Sequence, residues 1–355
     1  MQLATKNARI DCSYKYTWHA NLNHDLSENE TYRICAVGIG GAGCKILARL
    51  TEMGVPSEDC VAIDTDLQTL SQLHVHKKVL VDKKRSQQTM SQMCNALANK
   101  DIVFVIAGLG GAAATTFSPG VAEIARRGGA ITIGVFTEPS KAEKKRVRYH
   151  RALNSVRKRC DTLVAISIDK FSVLTPQALL SETFKVANQI LANMVFGIVQ
   201  TLSSPSLVNL DIGDFKTLMR QGGIATLGVG ESDAINRAEQ AVRNALKHSF
   251  SDLDCSAATG ALVQVEGDNR MTIEEANRVG EIVNEVIGAK ALVTCAARVS
   301  PQQLGKLHVT LLMTGLNRSR PVSDLGAIAP RLFNMDVDDE KPASVSLSLY
   351  QMENP

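Results

Sequence analysis

Three short stretches carry residue types that could do chemistry. The first, Gly38-Ile-Gly-Gly-Ala-Gly43, spaces its glycines as Gly-x-Gly-x-x-Gly between an apolar run and a segment of helical periodicity. Backbone N–H groups at such a junction can meet a phosphate, assisted by the dipole of the helix that follows. The same glycines could equally form a plain turn packed on a sheet. The second stretch, Gly108-Leu-Gly-Gly-Ala-Ala-Ala-Thr-Thr-Phe-Ser-Pro119, follows the apolar run Ile102–Ala107. Two such junctions suggest a nucleotide whose phosphates are held from two sides. Ala112, Ala113 and Ala114 stand where a phosphate cradle would want glycine. Where the chain needs positive φ or close phosphate approach, each Cβ costs roughly 1–2 kcal/mol. Asp64, about twenty residues past the first junction, stands where the dinucleotide fingerprint places a ribose-binding acid. A dinucleotide-dependent oxidoreductase using Gly38, Gly40, Gly43 and Asp64 therefore stays in play. The third stretch is Asn209-Leu-Asp211-Ile-Gly-Asp214, two carboxylates and an amide on a turn. Such a set can polarise a water or hold a cation. Asp214 could instead cap a helix over Phe215–Met219.

The elements that must position these residues follow from periodicity. Short apolar strands are expected at Ile34–Val37, Cys60–Ile63, Val79–Val81, Ile102–Ala107, Ala130–Phe136 and Thr162–Ile166. Between them, Gly38–Gly43 reads as a turn, and helices are expected at Lys45–Met53, Ser86–Ala98, Val121–Arg127 and Lys144–Arg159. Strands alternating with helices at this spacing predict an α/β fold with a parallel sheet covered on both faces. A long helix is expected from Pro176 to Leu202, apolar over more than one stripe and so buried between two layers. Beyond the breaker cluster Ser203–Ser206, strands at Ile224–Gly230, Ala261–Glu266, Ala291–Arg298 and Val309–Thr314 alternate with helices at Asp233–Lys247 and Ile273–Ile287. This predicts a second, smaller α/β domain. The expected divisions are an extension over 1–31, a nucleotide-binding-type domain over 32–175, the central helix and linker over 176–206, a C-terminal domain over 207–317, and a partly mobile tail over 318–355.

Composition narrows the function classes. The chain has 355 residues, 45% hydrophobic and 21% charged, as ordinary globular proteins do. A net charge of +3 and only 4% aromatic residues argue against nucleic acid as a partner. Nine Lys or Arg and one Glu crowd Lys141–Arg159, a stretch that could bind phosphates or simply form a solvated helix face. The eight cysteines form no Cys-x-x-Cys pair and read as reduced thiols of a cytoplasmic protein. The amino-terminal residues carry no apolar signal core, and no run approaches the roughly 20 apolar residues of a spanning helix, so no direct membrane insertion is expected.

Two glycine loops, a long central helix and then Asn-x-Asp-x-x-Asp, in that order, resemble the tubulin/FtsZ superfamily, and FtsZ in particular, over about residues 33–317. The resemblance implies the FtsZ/tubulin-like fold: a Rossmann-type parallel sheet domain, a long central helix and a smaller C-terminal sheet domain. It implies GTP or GDP with Mg2+ as cofactor. Hydrolysis in that family occurs between subunits, the catalytic loop of one completing the site of the next. Carried over residue by residue, it places Asn209, Asp211 and Asp214 in the catalytic loop, acting across a subunit interface. It places Gly40, Gly41, Ala42, Asp64, Gly110, Gly111, Ala112, Ala113, Thr137, Glu143, Arg146 (or Arg148), Phe184 and Gln189 around the nucleotide.

The chain also departs from the family pattern. Ala112–Thr116 replaces an alternation of glycine and threonine, and Val81-Asp-Lys-Lys-Arg-Ser-Gln is too short for the family's third phosphate loop, though Lys84 and Arg85 lie there. Lys45 and Asp64 stand where the family has asparagine. Gln189 stands where it has the guanine-reading aspartate, and a single amide carbonyl accepts less well than a carboxylate from the two guanine donors. These features predict a filament protein of cell division or cell shape with a degenerate pocket, a pseudo-GTPase. Its expected partner is itself or a standard FtsZ in head-to-tail filaments, with division adaptor proteins as further candidates and the cytoplasm, at the division site, as its location. A divergent but active GTPase is the alternative.

Overall fold

The computed structural model describes residues 32–81, 86–139, 147–174, 180–203, 207–208, 210–250, 253–288, 290–300 and 303–316. The expected extension and tail, Lys84 and Arg85, and residues 141–146 lie outside these residues.

Ten strands form one continuous sheet, ordered β3-β2-β1-β4-β5-β6-β7-β10-β8-β9. They are β1 (Ile34–Ile39), β2 (Cys60–Asp64), β3 (Lys77–Leu80), β4 (Ile102–Gly108), β5 (Ile131–Glu138), β6 (Thr162–Ser167), β7 (Gly223–Ser232), β8 (Gly260–Gly267), β9 (Leu292–Val299) and β10 (Leu307–Thr314). The first six run parallel in the doubly wound order 3-2-1-4-5-6. β7 joins β6 in parallel through Thr162↔Gly223, Leu163↔Ile224 and Val164↔Ala225. β10 then runs antiparallel to both β7 and β8, and β9 parallel to β8. All strands except β10 therefore point the same way.

The helices, in chain order, are α1 (Gly40–Glu52), α2 (Leu67–Ser71), α3 (Ser86–Leu97), α4 (Ala112–Arg127), α5 (Val147–Arg157), α6 (Ile168–Leu174), α7 (Leu180–Ser203), α8 (Ile212–Arg220), α9 (Arg237–Lys247) and α10 (Ile273–Ile287). Successive side chains of a strand point to opposite faces, and the two faces of the parallel sheet own separate cores. Ile34, Ala36, Ile102, Phe104 and Ile106 pack with α1 and α7. Their neighbours Cys35, Val37, Val103, Val105 and Ala107 pack with α3, α4 and α5. A third core lies between β7–β10 and the helices α9 and α10.

Four expectations need correction. Gly40–Gly43 is the first turn of α1 rather than a free turn, because Gly40 absorbs the change of direction at φ +71° and the helix starts at once. α4 begins at Ala112 rather than Val121: Pro119 removes one backbone donor but does not stop the helix. The short helices α2 and α6 were not expected at all. Finally, Ser181–Ser203 is apolar and long enough, by composition, to cross a membrane. Its apolar residues are accounted for within the fold, since Ile190, Leu191, Val195, Ile198, Val199 and Leu202 are buried against the sheet and α1.

Candidate nucleotide site

Glycine lets α1 start hard against the sheet. A Cβ at Gly43 would collide with the carbonyl oxygen of Ile106 in β4. With that position bare, the first turn of α1 sits beside the carboxyl end of β4 and the start of α4. The Cβ atoms of Ala113 and Ala114 lie 3.7 Å from where a Cβ on Gly40 would stand. Two helix N-termini thus converge between β1 and β4, where the strand order reverses. In open α/β sheets that switch point is where ligands bind.

The space between them is a cleft of about 290 Å3 lined by Ile39, Gly40, Gly41, Ala42, Asp64, Thr65, Gly108, Gly111, Ala112, Ala113 and Ala114. Neither helix has a side-chain cap: Ile39 precedes α1, Gly111 precedes α4, and neither side chain bonds the first turn. The amides of a helix's first turn have no partner within the helix. They also carry the positive end of its dipole, roughly half a charge. The cleft therefore presents two sets of unclaimed donors to an anion, with a phosphate as the fitting guest. No lysine or arginine occurs among the described lining residues. Its one charged group is Asp64, whose Oδ1 accepts from the amides of Thr65 at 2.6 Å and Asp66 at 3.3 Å.

Seven of the expected nucleotide residues, Gly40, Gly41, Ala42, Asp64, Gly111, Ala112 and Ala113, line this one cleft. The expected backbone cost at the alanines is absent. Gly111 has φ −85° and the alanines follow as helix, so none needs the left-handed region. Gly110 and Thr137 lie beside the cleft and outside its lining: Thr137 is buried at the end of β5, paired with Gly108. Phe184 is exposed on α7, and Gln189 faces α1 from the same helix. The Gln189 amide donates to Asn193 Oδ1 at 2.8 Å. Lys45 is exposed on α1 and does not reach the lining. Glu143, Arg146 and Asn209 lie outside the described residues. Ile39, Thr65, Gly108 and Ala114 also line the cleft. Their signal was position, since each adjoins an expected residue at the end of a strand or start of a helix.

The acidic turn lies elsewhere. Asp211, not Asp214, caps α8, its Oδ1 accepting from the Asp214 amide at 2.9 Å. Asp214 is left exposed in the first turn. Three contacts fix where α8 sits. Lys216 Nζ lies 4.8 Å from the ring centre of Tyr32, just before β1. Thr162 Oγ1, at the start of β6, donates to the Met219 carbonyl at 2.5 Å. The Gly223 amide, just past α8, donates to the Asp161 carbonyl. These are the amino ends of the strands, whereas the cleft opens at their carboxyl ends. Among the described residues no group of three or more His, Cys, Asp or Glu side chains is arranged to hold a metal.

The tubulin/FtsZ family GTPase-domain model matches residues 33–174, and the FtsZ family C-terminal domain model matches residues 223–317. The chain is 35% identical over 304 residues to "Cell division protein FtsZ 2" of Methanocaldococcus jannaschii, covering 80% of each chain. This chain belongs to the FtsZ family. It is also 34% identical over 302 residues to "Cell division protein FtsZ 1" of Pyrococcus furiosus, covering 80% of this chain and 81% of that protein. A solved structure described as an empty FtsZ dimer from M. jannaschii superimposes with a TM-score of 0.75 at 34% identity, covering 82% of this chain and 90% of the other. As a member of the cell-division cytoskeletal GTPase family, the chain has its glycine junctions and its cleft inside the matched GTPase domain.

Proposed function

We propose that this chain is a cytoplasmic, filament-forming subunit of cell division whose cleft takes the phosphates of GTP or GDP. Its acidic turn would complete the cleft of the next subunit. The observation that carries the reading is the placement of the two sites at opposite edges of one sheet, separated by a strand length of about 20 Å. Head-to-tail stacking joins unlike faces and propagates without closing. It would set Asp211 and Asp214 of one copy over the cleft of another. The FtsZ dimer among the solved structures supports pairing of like chains.

The residues present fit a nucleotide phosphate: two uncapped helix N-termini and open space above Gly41, where a Cβ would meet nothing within 4 Å. Gly40, Gly41, Ala42, Gly111, Ala112 and Ala113 would hold the phosphates through backbone amides. A magnesium ion would shield the phosphate charge. Asp214, exposed in the first turn of α8, would orient the attacking water, with Asp211 holding the turn. The absence of cations from the described lining, the acid at Asp64 and the amide at Gln189 all support weak, poorly guanine-selective binding. Such a subunit would assemble best with a standard FtsZ, supplying it with a catalytic turn.

A working, self-polymerising GTPase is the second reading, favoured by one observation: the alanines neither strain the backbone nor close the cleft. Calorimetry with GTP and GDP in magnesium separates the two. Micromolar binding with turnover by the chain alone supports the second reading. Weak binding, with turnover and sedimentation appearing only on mixing with a standard FtsZ, supports the first. A chain that neither sediments, binds nucleotide nor alters a standard FtsZ would sink both.

A further inference from the structure

The charge inside the cleft does not match its expected guest. Two helix N-termini supply roughly half a positive charge each, about one in all. Asp64 brings a full negative charge into the same space of about 290 Å3. It is buried, 5% exposed, and its carboxylate is tethered by the Thr65 and Asp66 amides. No ion pair offsets it among the described residues, and no lysine or arginine joins it in the described lining. Its field reaches α1: burial pushes the Cys44 thiol up to about 12, and Asp64 adds to that rise.

We propose that Asp64 is a specificity-determining residue that cancels the two helix dipoles and so makes the cleft reject bare nucleotide phosphates and admit their magnesium complexes. This rests on the reading of the cleft as a phosphate site. A diphosphate carries several negative charges. With the fixed charge of the described lining near zero, it gains little from these groups until a divalent cation neutralises part of it. Asparagine at the same position keeps a carbonyl oxygen for the Thr65 and Asp66 amides and removes the charge, with an NH2 donor in place of Oδ2, a donor that alanine lacks. The residue therefore tunes which form of nucleotide enters, separately from the hydrogen bonds that hold the loop.

The test is calorimetric titration of GDP into the full chain and its Asp64→Asn variant, each with magnesium and with EDTA. In EDTA the variant is expected to bind GDP about 10-fold tighter than wild type, the scale of one like charge removed from a partly screened site. In magnesium the two should differ by less than about threefold, so that the magnesium dependence shrinks. Asp64→Glu, which keeps the charge, should keep the wild-type magnesium dependence. Asp64→Ala provides the same charge removal if the asparagine variant does not fold. Equal or weaker binding by the neutral variants in EDTA, while wild type binds in magnesium, overturns the proposal and leaves the phosphate cleft standing. No GDP binding by any form in either buffer overturns both.

Discussion

The two edges of the sheet use the same device in opposite ways. At the carboxyl edge, α1 and α4 begin without a capping side chain and leave their first amides open to the cleft. At the amino edge, α8 begins under the Asp211 carboxylate, which takes one of those amides for the protein itself. α10, away from the cleft, is closed the same way by the Thr272–Glu275 capping box, and α2, which starts just past the cleft residue Thr65, is closed by Asp66. A helix that caps itself gains stability, about 1 kcal/mol for a typical cap. A helix that does not keeps donors for a guest. The contrast marks the starts of α1 and α4 as the ones left open for the proposed guest.

The comparison can be broken most severely at Gly43. Gly43→Ala places a methyl against the Ile106 carbonyl. The expected loss is about 3 kcal/mol, read as a lower denaturant midpoint with nucleotide binding lost alongside. Next, Asp214→Ala should cut GTP turnover of the assembled protein by about 100-fold while leaving GDP affinity unchanged in calorimetry. An equal loss of binding would mean that the two edges do not divide the labour as proposed. A smaller effect comes from giving α4 a cap of its own. Gly111→Ser, at a position where an added Cβ meets only the Gly108 oxygen at 3.7 Å, should leave the melting temperature unchanged or slightly raised. Nucleotide affinity should fall about fivefold, one hydrogen bond's worth. The converse change, Asp211→Ala, should cost about 1 kcal/mol of stability and leave GDP binding as it was. A thermal melt with and without GDP reads both.

Much of this layout was legible in the residues. Ile34–Val37 and Ile102–Ala107 are apolar on both faces, as strands covered from two sides must be, and the glycine junctions after them mark the switch point. Helix starts were harder. Asp211 and Asp214 both precede an apolar helical stretch, and a three-residue shift in the start exchanges cap and first-turn acid. The alanines were misjudged for a related reason. Ala112–Ala114 suggest a damaged loop only if that segment is a loop. As the first turn of a helix they are among the best-suited residues, and Pro119 hid the start by suggesting a break. α2 spans only five residues, too few for periodicity, although Asp66 with Thr69 three residues on was a cap signal. Gln189 illustrates contact across the chain: its neighbour Met53 lies 136 positions away, and no local pattern foretells that meeting.

All strands but β10 point one way, so the molecule has a front and a back that are chemically unlike. In a stack built as proposed, every growing end would expose either a vacant cleft or an unmet acid, never both. A copy spoiled at one face alone, such as Asp214→Ala or Gly111→Ser, would still dock by its sound face and then offer its neighbour a crippled one. Such copies would enter the stack and leave one slow joint each, so that turnover of a mixture would fall in step with their share while the stack itself still grows.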